Sequence, residues 1–296
     1  MQTLIFALAY GSMYALLALA IDIVFSTTYI INFAHASIVM IGAMVAYWCI
    51  GVYQLPYLVG LGAGIVVNII LSIVIYKLCV ERLGNLQKNI GWIITLFGAT
   101  LIIDNVARMI FGLQANRFPF LFDGAKVYLF GANIYVHEII MILSAVLIGF
   151  SYQMMCNKTK VGRALRAVSV KPEAAKLMGI NSHAVILFSF ALAGTVAAIA
   201  GCLIAPYTYA SYMMTSSIGL KGFAAALIGG FGNTKGAFVG GIALGLLEQL
   251  LAAVGVPPSF LGMFSFVIMI LAIVFLPGGI ISAKIFQGHG NKTEKI

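Results

Sequence analysis

Residues 23–76 read IVFSTTYIINFAHASIVMIGAMVAYWCIGVYQLPYLVGLGAGIVVNIILSIVIY, and not one of these 54 positions is Asp, Glu, Lys or Arg. About 20 apolar residues in a helix cross a hydrocarbon core of about 30 Å. The stretch is too long for one span and suits two, with Ser26-Thr27-Thr28 as the polar break. Cutting the rest of the chain at its prolines and charges predicts helices at 3–25, 28–50, 57–76, 90–112, 134–155, 184–206 and 257–276. Composition agrees: 62% of residues are apolar, 32 are glycine, only 8% are charged, and the mean hydropathy is +1.08. A soluble domain carries about 25% charged residues. A soluble enzyme, a disordered chain, a coiled coil and a disulfide scaffold are all excluded. The expectation is one all-α, polytopic membrane domain over 1–296, with about seven full spans.

Residues 219–248 depart from the pattern. Nine of the 27 residues from Gly219 to Gly245 are glycine, and Gly232-Asn233-Thr234-Lys235-Gly236 divides the segment into two apolar pieces of about 12 residues each. Short, Gly-interrupted segments point to a broken helical hairpin lining a transport route; two ordinary short spans packed through glycines remain the alternative. Ala197-x3-Gly201-x3-Ala205 and Ala237-x3-Gly241-x3-Gly245 are small-residue faces for close helix contact in lipid.

Charge sets the sidedness. The formal net charge of +9 falls in three segments: 77–88 (+2), 156–183 (+5) and 284–296 (+2). By the positive-inside rule all three are cytoplasmic. Counting spans back puts the N-terminus outside, or inside if 28–50 is re-entrant. The first cation is Lys77, so the N-terminal run lacks the basic region of a signal peptide and reads as a span that stays. The basic segments lack the interleaved aromatics of a nucleic-acid surface. Cys49, Cys79, Cys156 and Cys202 form no CxxC and no metal-ligand spacing. No cofactor or metal site is expected.

The inside loop 156–183 reads as two short helices. The first follows Gly162 and carries Arg163 and Arg166 one turn apart. The second opens on Pro172, which suits a first helical position. Glu173 sits in its first turn, where the helix dipole favours an acid, and Gly179 stops it. Ala174, Ala175 and Met178 would form a small, partly apolar face suited to docking a partner. Within the spans Asp104 and Arg108 stand four residues apart as a helix pair. Asp22, Glu138 and Glu248 lie near span ends, within reach of headgroup water. Asn32 and His35 stand one turn apart on one helix face and are candidates for lining a route beside the hairpin. Residues 207–217 hold eight hydroxyl side chains, a docking rim, a pathway mouth or an ordinary polar loop.

Glu173-Ala174-Ala175-x3-Gly179 resembles the EAA loop through which ABC importer permeases contact their ATPase. The fuller run GRALRAV…PEAAKLMGIN resembles the branched-chain amino acid permeases of the LivH/LivM type. So do Gly11-Ser12-Met13-Tyr14-Ala15-Leu16, Ile30-Ile31-Asn32-Phe33-Ala34-His35, Lys221-Gly222-Phe223, Gly229-Gly230, Gly236 to Gly241, and Phe275-Leu276-Pro277-Gly278-Gly279-Ile280. The Asn-Phe-Ala-His string is similar to the LivH partner. Ala36-Ser37 stands where that family usually has Gly followed by an acid, and the Ile-x-Leu-Pro continuation of the EAA motif is missing. The resemblance implies an importer permease of the bacterial inner membrane. It would pair with a second permease, identical or different, with two cytoplasmic ATPase subunits and with an external binding protein. Gly162, Arg163, Arg166, Glu173, Ala174, Ala175 and Gly179 would couple to the ATPase; Asn32, His35, Gly229 and Gly230 would border the route. ATP would be used by the partner, because this chain has no P-loop. Branched-chain or other hydrophobic amino acids are the implied cargo. Urea, amides, sugars or nucleosides carried by the same machinery are the near alternative, and a stand-alone secondary transporter is a further one. No Ser/His, Asp/Asp or HExxH arrangement points to an intramembrane enzyme.

Overall fold

The computed structural model describes residues 2–83, 90–129, 132–275 and 279. The segment around Lys88, the tail 284–296 and most of the closing motif at 275–280 lie outside the described residues. Helix α1 covers Gln2–Thr28, α2 His35–Tyr47, α3 Tyr57–Ile75 and α4 Gly91–Phe111. A two-stranded antiparallel ribbon follows, β1 (Lys126–Leu129) against β2 (Ala132–Tyr135). Then come α5 (Val136–Lys158), α6 (Lys160–Val170), α7 (Pro172–Leu177), α8 (Ser182–Thr208), a π-turn at Thr215–Gly219, α9 (Leu220–Gly229), α10 (Thr234–Ala253) and α11 (Pro258–Phe275). Among the described residues seven helices are long and apolar enough to cross a membrane: α1, α2 with its π-helical continuation to Val52, α3 with its continuation to Leu83, α4, α5, α8 and α10. The fold is that of a polytopic helical membrane protein.

The differences from the sequence reading have local causes. Thr27 and Thr28 do not break the first helix; within it their hydroxyls donate back to the Val24 carbonyl at 3.1 and 2.8 Å. The break comes at Tyr29, whose φ is 56°. α2 therefore begins seven residues later than expected, at His35. Ile134 and Tyr135, expected to open α5, instead pair in the ribbon with Val127 and Lys126. The Gly-rich hairpin is present, turning at 230–233, but its second limb is a 20-residue helix rather than a piece of about 12. Its glycines do not stop it, since they are where neighbouring backbones press in.

α1 is the centre of the molecule. It packs on α10, α8, α9 and α5, and from Gly11 to Val24 every residue is buried. A Cβ on Gly241 would run into the backbone of Ala15, one on Gly245 into Gly11, and one on Gly240 into Ala225 and Gly229. α10 is thus held against α1 on one side and α9 on the other at distances only glycine permits, as the small-residue faces predict. On α8, a Cβ on Gly201 would strike the Val39 carbonyl. The outer faces of α3, α4 and α5 expose Leu58, Ile70, Ile94, Ile102, Leu147, Phe150 and other large apolar side chains. On a soluble protein such a surface would be anomalous; on these helices it is the lipid face.

Candidate functional site

One end of the molecule is built from the 156–183 loop. Thr159 caps α6 by accepting the Gly162 N–H at 3.1 Å. Gly162 is required there, since a Cβ would strike Met155 and Cys156 at the end of α5. Arg166 turns back and donates to the Cys156 carbonyl at 2.9 Å and to Asn157, so it closes the C-terminus of α5. Arg163 is exposed. Pro172 opens α7 at its first turn, with Glu173 beside it and exposed. The helix ends in a complete Schellman motif: Ile180 N–H donates to Ala175 O at 3.0 Å, and Gly179 N–H to Lys176 O at 3.1 Å. Gly179 has φ 79°, and a Cβ there would meet nothing within 4 Å. It is glycine for its backbone angle, not for space.

Of the face read from the sequence, Ala174, Ala175 and Met178, only part is outward. Ala175 is buried against the molecule and Ala174 is half-buried. The projecting apolar tip is Leu177, 91% exposed, with Met178, 81% exposed. Ala174, one turn before Leu177 and Met178, stays on their side, and Ala175 faces the neighbouring helices α6 and α8.

The arm is tied into the molecule. His183 Nε2 lies 2.7 Å from Glu81 Oε1, so the first two basic segments share one end, as their charge predicts. Tyr29 donates to the Ser169 carbonyl at 2.6 Å, closing the C-terminus of α6 from the break between α1 and α2. A cavity of about 320 Å³ lies between them, bordered by Tyr29, Tyr152, Arg166, Ser169, Gly232 and Lys235. On its far side Asp22 Oδ1 accepts the Gly232 N–H at 2.5 Å and pins the hairpin turn. The α6–α7 arm, the α1–α2 break and the hairpin turn therefore meet around one space. Tyr29→Phe is expected to lower stability by no more than about 1.5 kcal/mol, the net worth of one hydrogen bond. A thermal melt of the purified variant checks this.

Asn32 and His35 do not share a helix face. Asn32 precedes α2 and its Oδ1 accepts the Ala34 N–H at 3.1 Å. His35 opens the helix, is 2% exposed and does not line the cavity beside the hairpin turn. Their segment does approach the first hairpin limb, through Phe33 on Phe223 with ring centroids 5.9 Å apart and Ala36 beside Gly219. Gly229 and Gly230 lie at the other end of that limb, against Gly236 and Gly279.

The acids in the spans are corrected as well. Asp104 does not pair with Arg108. It accepts from Ser37 Oγ at 2.7 Å and Thr215 Oγ1 at 2.9 Å, tying α4 to α2 and the π-turn, while Arg108 lies over the Tyr212 ring. Asp22, Glu138 and Glu248 are not at headgroup water; all three are buried. Glu138 takes the Tyr207 hydroxyl at 3.3 Å. Glu248 is the centre of a network that sequence reasoning missed. Its Oε1 lies 2.7 Å from Lys221 Nζ and accepts from Ser265 Oγ at 2.6 Å, and its Oε2 accepts from Tyr14 Oη at 2.6 Å. The available signal was two isolated charges of opposite sign within apolar runs, which at membrane depth need each other.

The model for "Branched-chain amino acid transport system / permease component" matches residues 3–273. The chain is 29% identical over 290 residues to the high-affinity branched-chain amino acid transport system permease protein LivH of Escherichia coli strain K12, covering 92% of each. It is 31% identical to a probable LivH permease of Methanocaldococcus jannaschii, covering 93% of this chain and 90% of that one. Among solved structures, PsaBC from Streptococcus pneumoniae in complex with Fab aligns with a TM-score of 0.52 at 13% identity, over 94% of this chain and 93% of that chain, a likeness of fold alone. A match through nearly the whole chain, a helical fold with seven membrane-length helices and the capped arm at one end converge: this is a multi-pass protein of the bacterial inner membrane, and it belongs to the family of branched-chain amino acid transport permeases.

Proposed function

We propose that this chain is the membrane-spanning subunit of a binding-protein-dependent importer that moves branched-chain and other apolar amino acids by alternating access. The observation that carries the reading is the α6–α7 arm. A six-residue helix opens on Pro172, closes in a Schellman motif, projects Leu177 and Met178 into solvent, and is wired through Ser169 and Tyr29 to the space beside the hairpin turn. An exposed apolar tip on a rigid arm calls for a partner's cleft. Two cytoplasmic ATPase subunits, a second permease and an external binding protein complete the assembly, and ATP is hydrolysed by the ATPase subunits. Closure of the ATPase pair pushes on α7. Tyr29 passes the displacement to the α1–α2 break, and the hairpin between α9 and α10 changes the side on which the route opens. Gly162, Arg166 and Gly179 act by shaping the arm. Glu173 and Arg163, exposed on it, are the polar contacts to the ATPase.

The test is uptake into proteoliposomes holding the full assembly. Labelled leucine, isoleucine and valine should accumulate only with ATP on the α7 side and loaded binding protein on the other. A sugar or urea taken up in their place would overturn the cargo; uptake without ATP would overturn the mechanism.

A further inference from the structure

The network around Glu248 does more than join helices. Tyr14 stands near the middle of the 27-residue α1, so the Lys221–Glu248 pair lies at membrane depth. A charge at that depth is costly and usually marks a substrate route or its lining. The two partners are not equivalent. The Lys221 side chain is 20% exposed and the Glu248 side chain 3%. The carboxylate is sealed behind Tyr14 and Ser265, while the ammonium reaches a cavity of about 500 Å³ between α9, the π-turn and α11. That volume falls in the range of small-molecule sites, about 300–1,000 Å³.

The cavity walls are divided by chemistry. Leu220, Met263 and Phe266 make an apolar wall. On the polar side Lys221 has three N–H donors. Among the described residues two are accounted for, to Glu248 Oε1 at 2.7 Å and Tyr14 Oη at 3.4 Å. Ser216 and Ser217 also line the space. Both hydroxyls donate to the Met213 carbonyl at 3.0 Å, so they turn lone pairs, not protons, toward a visitor. Ser265 likewise spends its proton on Glu248. The lining thus offers a cation, oxygen acceptors and hydrocarbon.

We propose that this cavity is a transient cargo site for a zwitterionic α-amino acid with an apolar side chain, its carboxylate on Lys221, its ammonium on the Ser216, Ser217 and Ser265 oxygens, and its side chain on Leu220, Met263 and Phe266. The inference rests on the importer reading above and deepens it. Lys221 already shares its charge with Glu248, so it holds the cargo carboxylate weakly and releases it. A sugar or urea has no carboxylate to make use of the ammonium.

The experiment compares whole reconstituted importers. Lys221→Met with Glu248→Gln removes both charges together and leaves no unpaired ion. This double variant should assemble, melt near the wild-type temperature and keep ATP hydrolysis stimulated by loaded binding protein, while leucine uptake per complex falls at least tenfold. Lys221→Arg, which keeps the cation, should stay within threefold of wild type. A double variant that carries leucine like wild type overturns the site and leaves the importer reading standing. Wild type that carries a sugar and no amino acid overturns both. A double variant that folds but no longer pairs with the second permease makes the cavity a subunit interface and overturns the cargo site. If the double variant does not fold, Ser217→Cys in a background without Cys49, Cys79, Cys156 and Cys202 decides. Its reaction with a small thiol reagent should slow at least threefold during leucine transport, compared with ATP and empty binding protein; an unchanged rate overturns the proposal.

Discussion

Gly241→Leu is expected to eliminate the folded protein. A Cβ at 241 would coincide with the backbone nitrogen and Cα of Ala15, and the neighbouring contact of Gly245 with Gly11 is equally close. Overpacking a core usually costs about 1–3 kcal/mol because side chains can shift. Here the obstacle is the backbone of α1, which is buried on all sides and cannot yield without moving α8, α9 and α5. Helix association in lipid relies on close packing rather than on a hydrophobic drive, so separating α10 from α1 removes what holds them. The loss should exceed about 3 kcal/mol. Monodisperse protein after detergent extraction should vanish. Gly62→Leu is the control. A Cβ at 62 meets nothing within 4 Å, and replacing a helical glycine by Leu favours the helix by up to about 1 kcal/mol. Equal yields of the two variants would show that the α1–α10 contact is looser than described.

The second large effect belongs to the arm. Leu177→Asp with Met178→Asp should leave insertion and melting unchanged, because both side chains are already in solvent. If they are buried in an ATPase cleft, each contributes about 1.5–3 kcal/mol to docking. Losing both weakens ATPase association about a hundredfold or more, at about 1.4 kcal/mol per factor of ten. Co-purification of the ATPase and ATP-driven uptake should fall together. Normal uptake in this variant would remove α7 from the coupling contact. Gly179→Leu acts by a different route. It forces a left-handed backbone angle on a residue with a Cβ, at about 1–2 kcal/mol, and so loosens the end of α7 rather than blocking it.

The arm was legible because its signals are local. Pro172 at a helix start and Gly179 at its end act within one turn of themselves, and each does in the structure what its position predicts; α6 starts at Lys160, ahead of Gly162, because Thr159 caps it. Which face the arm shows was not legible. Glu173-Ala174-Ala175 draws the eye, yet α7 turns Ala175 onto the protein and leaves Leu177 and Met178 outside. In a helix of six residues every side has an apolar member, and only the direction from which the neighbouring helices approach selects one.

Six of the seven membrane-length helices follow from the sequence, since crossing hydrocarbon demands length and apolarity, both carried by consecutive residues; α10, read as a short limb, is the exception. That the first two basic segments share one end follows in the same way from where the cations lie. Partnerships among polar groups do not. Asp104 chose Ser37 and Thr215, 67 and 111 residues away, over Arg108 one turn along. Glu248 chose Lys221 and Tyr14, and Asp22 the turn at Gly232. Near a span end each acid had water as an alternative, and the sequence shows no preference between water and a distant donor. Tertiary packing made the choice. By pressing α10 between α1 and α9 through glycine contacts, it excluded water from Asp22 and Glu248 and left each to the donors that the neighbouring helices brought within reach.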